Sequence, residues 1–269
     1  MKIAQILTAA VVGALYLSFA AGAHAQNIPG YVTVTAIYGQ ARYSTDGVNF
    51  HPLVVGQTLG VGAVIQTAAN SKVDLVLGRR IATHINSTAD HAAFAPGADS
   101  KVVGLVAYRA VAEQNVIRMF PNTVLAVDKL LIGDTGVDAM SDTELDLRQG
   151  RIFGSVKKLS AASEFLIKFP NGVAGVRGTT FDISADGSVT VADGSVVVSI
   201  TTSSGTQTVT LNAGDQFNPA TGTVSHLSGS ELTQVEANAK TITSQISTVV
   251  QDIYQYAHDV TTVYVSPVR

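Results

Sequence analysis

Residues Phe169 to Phe217 read FPNGVAGVRGTTFDISADGSVTVADGSVVVSITTSSGTQTVTLNAGDQF, and this stretch decides the fold. Short runs rich in Val, Thr and Ile are cut at regular intervals by Asn-Gly, Asp-Gly, Ser-Gly and Ala-Gly, the strand and turn signals of an antiparallel meander. Between Gly187 and Gly194, Ser188-Val189-Thr190-Val191-Ala192 alternates polar with apolar, as a strand with one wet face does. Asp186-Gly187 and Asp193-Gly194 suit tight turns, because Gly accepts positive φ and Asp bonds its own backbone.

Working outward, the same texture continues upstream. Tyr31 to Tyr38 has strand composition, and Ala41 to Phe50 carries an Asp46-Gly47 turn that predicts a hairpin with Tyr43 packed on Phe50. In Ser71 to Leu77, Val73, Leu75 and Leu77 share one face, with Asp74 and Val76 on the other. Gly60-Val61-Gly62 lacks the later Gly and the following helix of a nucleotide loop, and reads as a turn. Glu144 to Gln149 alternates cleanly before Gly150. Residues 83–114 read as an insert: a loop over Asn86 to Asp99, then an apolar Lys101 to Ala112 with strand character. Met119-Phe120-Pro121-Asn122-Thr123-Val124 is echoed by Lys168-Phe169-Pro170-Asn171-Gly172-Val173 and, more faintly, by Ala69-Asn70-Ser71-Lys72-Val73. A repeated turn-then-strand unit predicts stacked hairpins.

The pattern Val173-Ala174-Gly175-Val176-Arg177-Gly178-Thr179-Thr180-Phe181 resembles the V-x-G-x-R-G-T-x-F signature of the FecR domain family. An Asp-Gly turn, a V-x-V-x-x-G-x-V-x-V hairpin and a G-x-x-x-x-L-x-A-G-x-x-F segment at Gly205 to Phe217 follow in the family's order. Leu53 to Leu77 is similar to the family's opening, so the resemblance runs roughly from 50 to 218. It implies structural roles for Gly175, Arg177, Gly178, Thr179, Phe181, Gly187, Gly194 and Gly214. It also implies a periplasmic signalling role, in which such a domain receives a signal from an outer-membrane receptor. Regulators of that kind carry a cytoplasmic anti-sigma segment and a membrane helix ahead of the domain. Here only Met1-Lys2 precedes the first apolar run, so contact with a cytoplasmic sigma factor is not expected.

Arg177 shares its parity with Val173, Gly175, Thr179 and Phe181. Strict alternation would therefore send it inward, where a guanidinium needs a carboxylate or several carbonyls. The expectation is a structural Arg clamped to a neighbouring strand; a bulge at Gly175 or Gly178 would instead turn it outward. Gly178 is expected at a close backbone approach.

The chain has 269 residues, 46% apolar and 14% charged, with 24 Gly and a formal net charge of −3. That is enough for one good-sized core of all-β class. No basic run interleaved with aromatics occurs, which excludes a nucleic-acid partner on electrostatic grounds. The absence of cysteine removes disulfides, thiol nucleophiles and Cys-ligated zinc. No Gly-x-Ser-x-Gly elbow, Walker loop or His-Glu-x-x-His is present, and no His pair has chelating spacing. Asp134, Asp138 and Asp142 lack the spacing of a calcium loop and read as a solvated turn. Neither a catalytic residue, a metal nor a cofactor is assigned. A secreted carbohydrate-active or other enzyme ranks third, since aromatics are 6% and Trp is absent.

The C-terminal stretch is a different material. From Leu232 to Val263 apolar residues recur at alternating spacings of three and four, the seam of an amphipathic helix. Ser228-Gly229-Ser230-Glu231 offers a capping box at its start. The seam predicts either a helix laid across the β domain or a homodimeric coiled coil through 232–263.

The expected organisation is thus a signal peptide over 1–25, a FecR-like β domain over 26–227 and an amphipathic helix over 228–265. The β domain is an antiparallel β-sandwich or a short solenoid-like stack of hairpins. The expected function is that of an exported, non-enzymatic interaction or scaffold module of the cell envelope, periplasmic or secreted. It would have a protein partner and no membrane span after cleavage. The alternative is a signal-sensing component of a trans-envelope regulatory system. Lys2, the apolar Ile3 to Ala21 and the Ala23-His24-Ala25 site predict processing between Ala25 and Gln26. N-terminal sequencing of the exported protein should begin at Gln26; an intact Met1 on membrane-embedded protein would overturn it.

Overall fold

The computed structural model describes residues 27–79, 115–134, 139–158, 160–202 and 205–261. The expected signal peptide, the whole of the 83–114 insert and the residues past 261 lie outside them. Among the described residues nineteen strands form two sheets, followed by one helix. The first strands are β1 (Ile28–Pro29), β2 (Tyr31–Tyr38), β3 (Ala41–Ser44), β4 (His51–Pro52), β5 (Thr58–Leu59), β6 (Val64–Thr67) and β7 (Lys72–Gly78). After the insert come β8 (Asn115–Met119), β9 (Val124–Asp134), β10 (Ala139–Gln149), β11 (Arg151–Ser155), β12 (Glu164–Phe169) and β13 (Gly172–Val176). The last are β14 (Thr180–Ser184), β15 (Val189–Asp193), β16 (Ser195–Thr202), β17 (Gly205–Asn212), β18 (Asp215–Asn218) and β19 (Thr223–His226), then helix α1 (Gly229–Thr261).

One sheet runs β17-β16-β13-β12-β10-β9-β6-β3-β4, with β1 added on β9; the other runs β19-β18-β15-β14-β11-β8-β7-β2-β5. The chain alternates between them. Hairpin β9–β10 lies in the first sheet, β11 in the second, β12–β13 in the first, β14–β15 in the second. Hairpin β16–β17 returns to the first and β18–β19 to the second. Because β11 intervenes in the opposite sheet, β10 and β12 meet in parallel register, Asp142 opposite Glu164 through Asp146 opposite Lys168. All other pairings among the described residues are antiparallel. The molecule is therefore a sandwich whose successive hairpins also stack along one direction.

The core fills the space between the sheets. Phe165, Phe181 and Phe217 are its largest fully buried side chains, surrounded by Ile, Leu and Val from both sheets. Each of these residues sits at an alternating inward position, so burial and strand period agree. The β3–β4 hairpin forms around Asp46, whose carboxylate accepts the Val48 and Asn49 amides at 2.9 and 2.8 Å. The aromatic pairing there differs from the expectation. Tyr43 lies opposite His51, and Phe50 instead receives the Arg42 guanidinium 4.7 Å from its ring centre.

A repeated device fixes the corners. The Thr179 Oγ1 accepts the Ser195 amide at 3.2 Å and donates to the Ser195 carbonyl at 2.6 Å. Ser195 follows Gly194, whose φ is 82°. Thr123 does the same for Arg151, at 3.1 and 3.0 Å, after Gly150 with φ 81°. The Thr67 hydroxyl accepts the Thr123 amide at 2.9 Å after Asn122 with φ 55°, and the Ser71 hydroxyl accepts the Gln40 amide at 2.9 Å after Gly39 with φ 87°. In each case a hydroxyl takes the amide that follows a left-handed residue. Contact is so close that a Cβ at Gly194 would lie 2.3 Å from the Gly178 carbonyl oxygen, and one at Gly150 2.6 Å from Thr123 Cα. The echo seen in sequence resolves here: Asn70 and Asn122 share the left-handed conformation, at φ 56° and 55°. Both mark crossings between sheets, whereas Asn171 turns a hairpin within one sheet.

Arg177 is the main correction. Val176 ends β13 in the first sheet and Thr180 begins β14 in the second, so residues 177–179 form a corner at which the inward parity resets. Ala174 and Val176 point inward before it, Thr179, Phe181 and Ile183 after it. Arg177 falls on the outside of the bend, exposed, and no hydrogen bond or ion pair joins it to the other described residues. Gly178, with φ 67°, lies where a Cβ would come within 2.8 Å of Lys158 Cα. Replacing Gly178 by Val should therefore cost about 2 kcal/mol or more. Thr179→Val keeps the shape but strands the Ser195 amide and carbonyl, for about 1–3 kcal/mol. Denaturant midpoints check both, and an unchanged midpoint for Thr179→Val would remove the corner clamp as a stabilising element.

Candidate functional site

The outer face of the second sheet carries a line of side chains in one register. Asp74 pairs across to Arg118, Arg118 to Phe153, Phe153 to Asp182, Asp182 to Thr190 and Thr190 to Gln216. Strand alternation puts all of them on the side away from the core. Polar groups on an outer face are ordinary; here several are covered.

Helix α1 is the cover. Its start is fixed by Glu231, whose carboxylate accepts the Ser228 amide at 2.9 Å and the Ser228 hydroxyl at 2.6 Å, so its acidity is raised by those bonds. This is the returning half of a capping box. Ala239 packs on Phe153 and Ala192, and Ile246 on Val76 and Val116, with Ile242 touching both groups. Val76 and Val116 face outward, and the helix lies on them. The seam through Ile246 is thus docked on the sheet. Of the two arrangements predicted for it, the structure shows the first over this half; the side chains beyond are outside the described set.

Beneath the helix lies a buried ion pair. Arg118 donates through Nε and an Nη to the two Asp74 oxygens at 2.6 and 2.7 Å, and the same Nη reaches Gln245 Oε1 of α1 at 3.1 Å. Asp74 is 1% and Arg118 7% exposed. Such a pair offsets its desolvation through bidentate geometry and the added amide. The Tyr38 ring closes the outer side, 5.9 Å from the guanidinium.

Two clefts flank α1. One, of about 520 Å³, is lined by Lys72, Arg151, Asp182, Gln216 and Asn238 over a floor that includes Phe120 and Phe153. The other, of about 640 Å³, is bordered by Ser155, Thr180 and Asp193 of the sheet and Glu236, Lys240 and Thr243 of the helix. In the first, Arg151 lies 4.0 Å over the Phe120 ring and 3.3 Å from Asp182 Oδ1. Burial pushes the Asp182 carboxyl up to about 6, against the opposing pull of Arg151. The cleft therefore combines an aromatic floor, an aligned cation, an acid that titrates in mild conditions and neutral amides.

The signature residues do not converge on this site. Arg177, Gly178, Thr179 and Gly194 meet at one corner; Phe181 sits in the core; Gly175 lies opposite Leu166 and Val197 on β13. Gly187 and Gly214, with φ 97° and 85°, occupy separate turns. His226 meets Asp215 at 2.9 Å on exposed strands, and the same carboxylate group accepts the Asn212 amide, a turn-closing use. Asp142 is paired with Lys129. Among the described residues no group of His, Asp or Glu is placed to hold a metal, and no described helix is long and apolar enough to cross a membrane.

These features define a β-sandwich with a helix docked on the outer face of one sheet. Residues 109–197 match the family described as FecR protein, so the family segment spans β8 to β15 and enters β16. The match is narrower than the 50–218 resemblance read from motifs. Two crystal structures of a proposed anti-sigma factor from Parabacteroides distasonis, at 1.65 and 2.50 Å, are similar at 17% and 16% identity, with TM-scores of 0.34 and 0.33. Each similarity covers 46% of this chain and 56% of the other, so the chain spans little more than half of those proteins' length. No curated protein matches.

The raised pKa of Asp182 makes stability depend on pH in one direction. Its folded value lies above its ordinary one, so the folded state holds the proton more tightly and stability falls as pH rises from about 4 through 6. The side chain is still 31% open to the cleft, so solvent keeps the effect partial. Asp182→Asn should abolish that decline, leaving the variant relatively more stable at pH 7 than at pH 4. Melting curves across pH 4 to 8 test it; parallel profiles for the two proteins would refute it.

Proposed function

We propose that this protein is an exported, non-enzymatic interaction module of the cell envelope, which presents the helix-flanked face of its second sheet to a protein partner. The observation that carries the reading is the register line from Asp74 to Gln216, partly roofed by α1 and open in a cleft on either side. Arg151 on Phe120, Asp182, Gln216 and Asn238 supply a charged group, an aromatic surface and amides of the kind that anchor protein contacts.

A narrower reading is supported by the FecR match over 109–197: a periplasmic signal-sensing component of a regulatory system. The same face would then be where the signal arrives. Both readings assign recognition to the face and catalysis to nothing.

A photo-crosslinking residue placed at Asn238 or Gln216, in the protein expressed in its own envelope, tests the proposal. A discrete protein adduct should form at these positions and not at exposed Val48, on the far hairpin. Equal labelling at Val48, or none at the cleft, would overturn it. Arg151→Ala should reduce the adduct several-fold, since it removes both the cation and the stacked surface.

A further inference from the structure

Among the described residues the main strand orders of the two sheets end on four edge strands, and three of the four are short; β1, which pairs only with β9, is two residues long and contains Pro29. Strand β4 is two residues long and contains Pro52, β5 is two residues long, and β19 is four. Short edges and proline are ordinary protections against edge-to-edge pairing. Strand β17 has none of them. It runs eight residues, GTQTVTLN, without a charge or a proline, and its ladder with β16 is unbroken from Ser195 opposite Asn212 to Thr202 opposite Gly205.

The direction of its free backbone groups can be fixed. The Asn212 amide points away from β16, since it donates to the Asp215 carboxylate at 2.8 Å. Antiparallel pairing alternates strictly between bonded and non-bonded residues, and this ladder has no bulge. The amides and carbonyls of Thr206, Thr208 and Thr210 therefore point outward too, and among the described residues no strand takes them. Asp215 closes the edge at Asn212 and leaves 206–210 open. Their side chains are exposed on the sheet face, where Thr206 meets the Thr201 hydroxyl and Thr208 donates to Ser199.

The open segment is Thr-Gln-Thr-Val-Thr, nearly symmetric about its centre. We propose that β17 is a self-association edge that pairs antiparallel with β17 of a second copy about a two-fold axis at Thr208. In that register Thr208 exchanges both backbone bonds with Thr208 of the partner subunit, Thr206 faces the opposite Thr210, and Gln207 faces Val209. The hydroxyl ladder already formed with β16 then continues across the joint, and the first sheets of the two copies become one. An isologous interface needs a strand complementary to its own reverse, and this sequence supplies one. The absence of charge means that no like charges oppose each other in the pairing.

Light scattering on the purified full chain tests this, because the axis places residue 208 against itself. The native protein should be a dimer at micromolar concentration. Thr208→Lys and Thr208→Glu each bring two like charges face to face and should weaken association roughly tenfold or more. Mixing the two variants in equal amounts should restore a dimer, now mixed, since Lys meets Glu; this rescue also establishes that both variants are folded. A native chain that stays monomeric, or a dimer indifferent to both substitutions, would overturn the proposal. The indifferent dimer would place the interface elsewhere, with residues 232–263 the next candidate.

Discussion

The left-handed corner and its hydroxyl clamp hold this architecture together. A chain that passes repeatedly between two sheets must bend sharply at each passage, and each bend leaves an amide with no strand to pair it. Buried and unsatisfied, such a group would cost about 1–3 kcal/mol. Thr67, Thr123, Thr179 and Ser71 each provide one oxygen that takes the amide, and the first three also return a proton to a carbonyl at or beside the corner. Thr123 is at once clamped by Thr67 and the clamp on Arg151. Three successive passes are thereby fixed relative to one another through two buried side chains.

The same economy explains what could be read in the sequence. Turn positions were legible, because Asn-Gly and Asp-Gly have few other uses and the runs between them keep a period of two. The all-β class and the hairpin stack follow from those signals, and the terminal helix from apolar spacings of three and four after Ser228. Sheet membership did not follow. Inward alternation looks identical in either sheet, and nothing in Val176-Arg177-Gly178-Thr179 announces that the parity restarts. Strict alternation therefore sends Arg177 inward, whereas the corner at Gly178 leaves it outside. The clamps were invisible too, since a corner Thr is one among many Thr in a strand-rich chain.

The candidate site was hidden by sequence distance. Asp74 and Arg118 are 44 residues apart, and Arg118 and Gln245 are 127 apart. Read singly, an Asp inside Lys72–Gly78 and an Arg inside Asn115–Met119 are polar residues on an outer face. A weak signal did exist. Both strands carry apolar residues at outward positions, Val76 and Val116, which alternation reserves for solvent unless something covers them. Those two positions and the apolar seam of α1 were complementary statements of one contact, and only the fold joins them.

Where α1 lies also bears on how the molecule comes apart. A stack of hairpins in which each layer touches only its neighbours tends toward one-dimensional behaviour: the ends loosen first and the middle persists. Helix α1 cuts across that order. It touches β2, β7 and β8 as well as β15, so it ties the first long strand to a layer more than a hundred residues later. Opening any one of those layers must also loosen the helix, and with it the support of the others. The Arg118–Asp74 pair sharpens the coupling, because lifting Gln245 admits water to a charge pair sequestered under the helix. Such a tie across distant layers favours opening of the whole over fraying layer by layer.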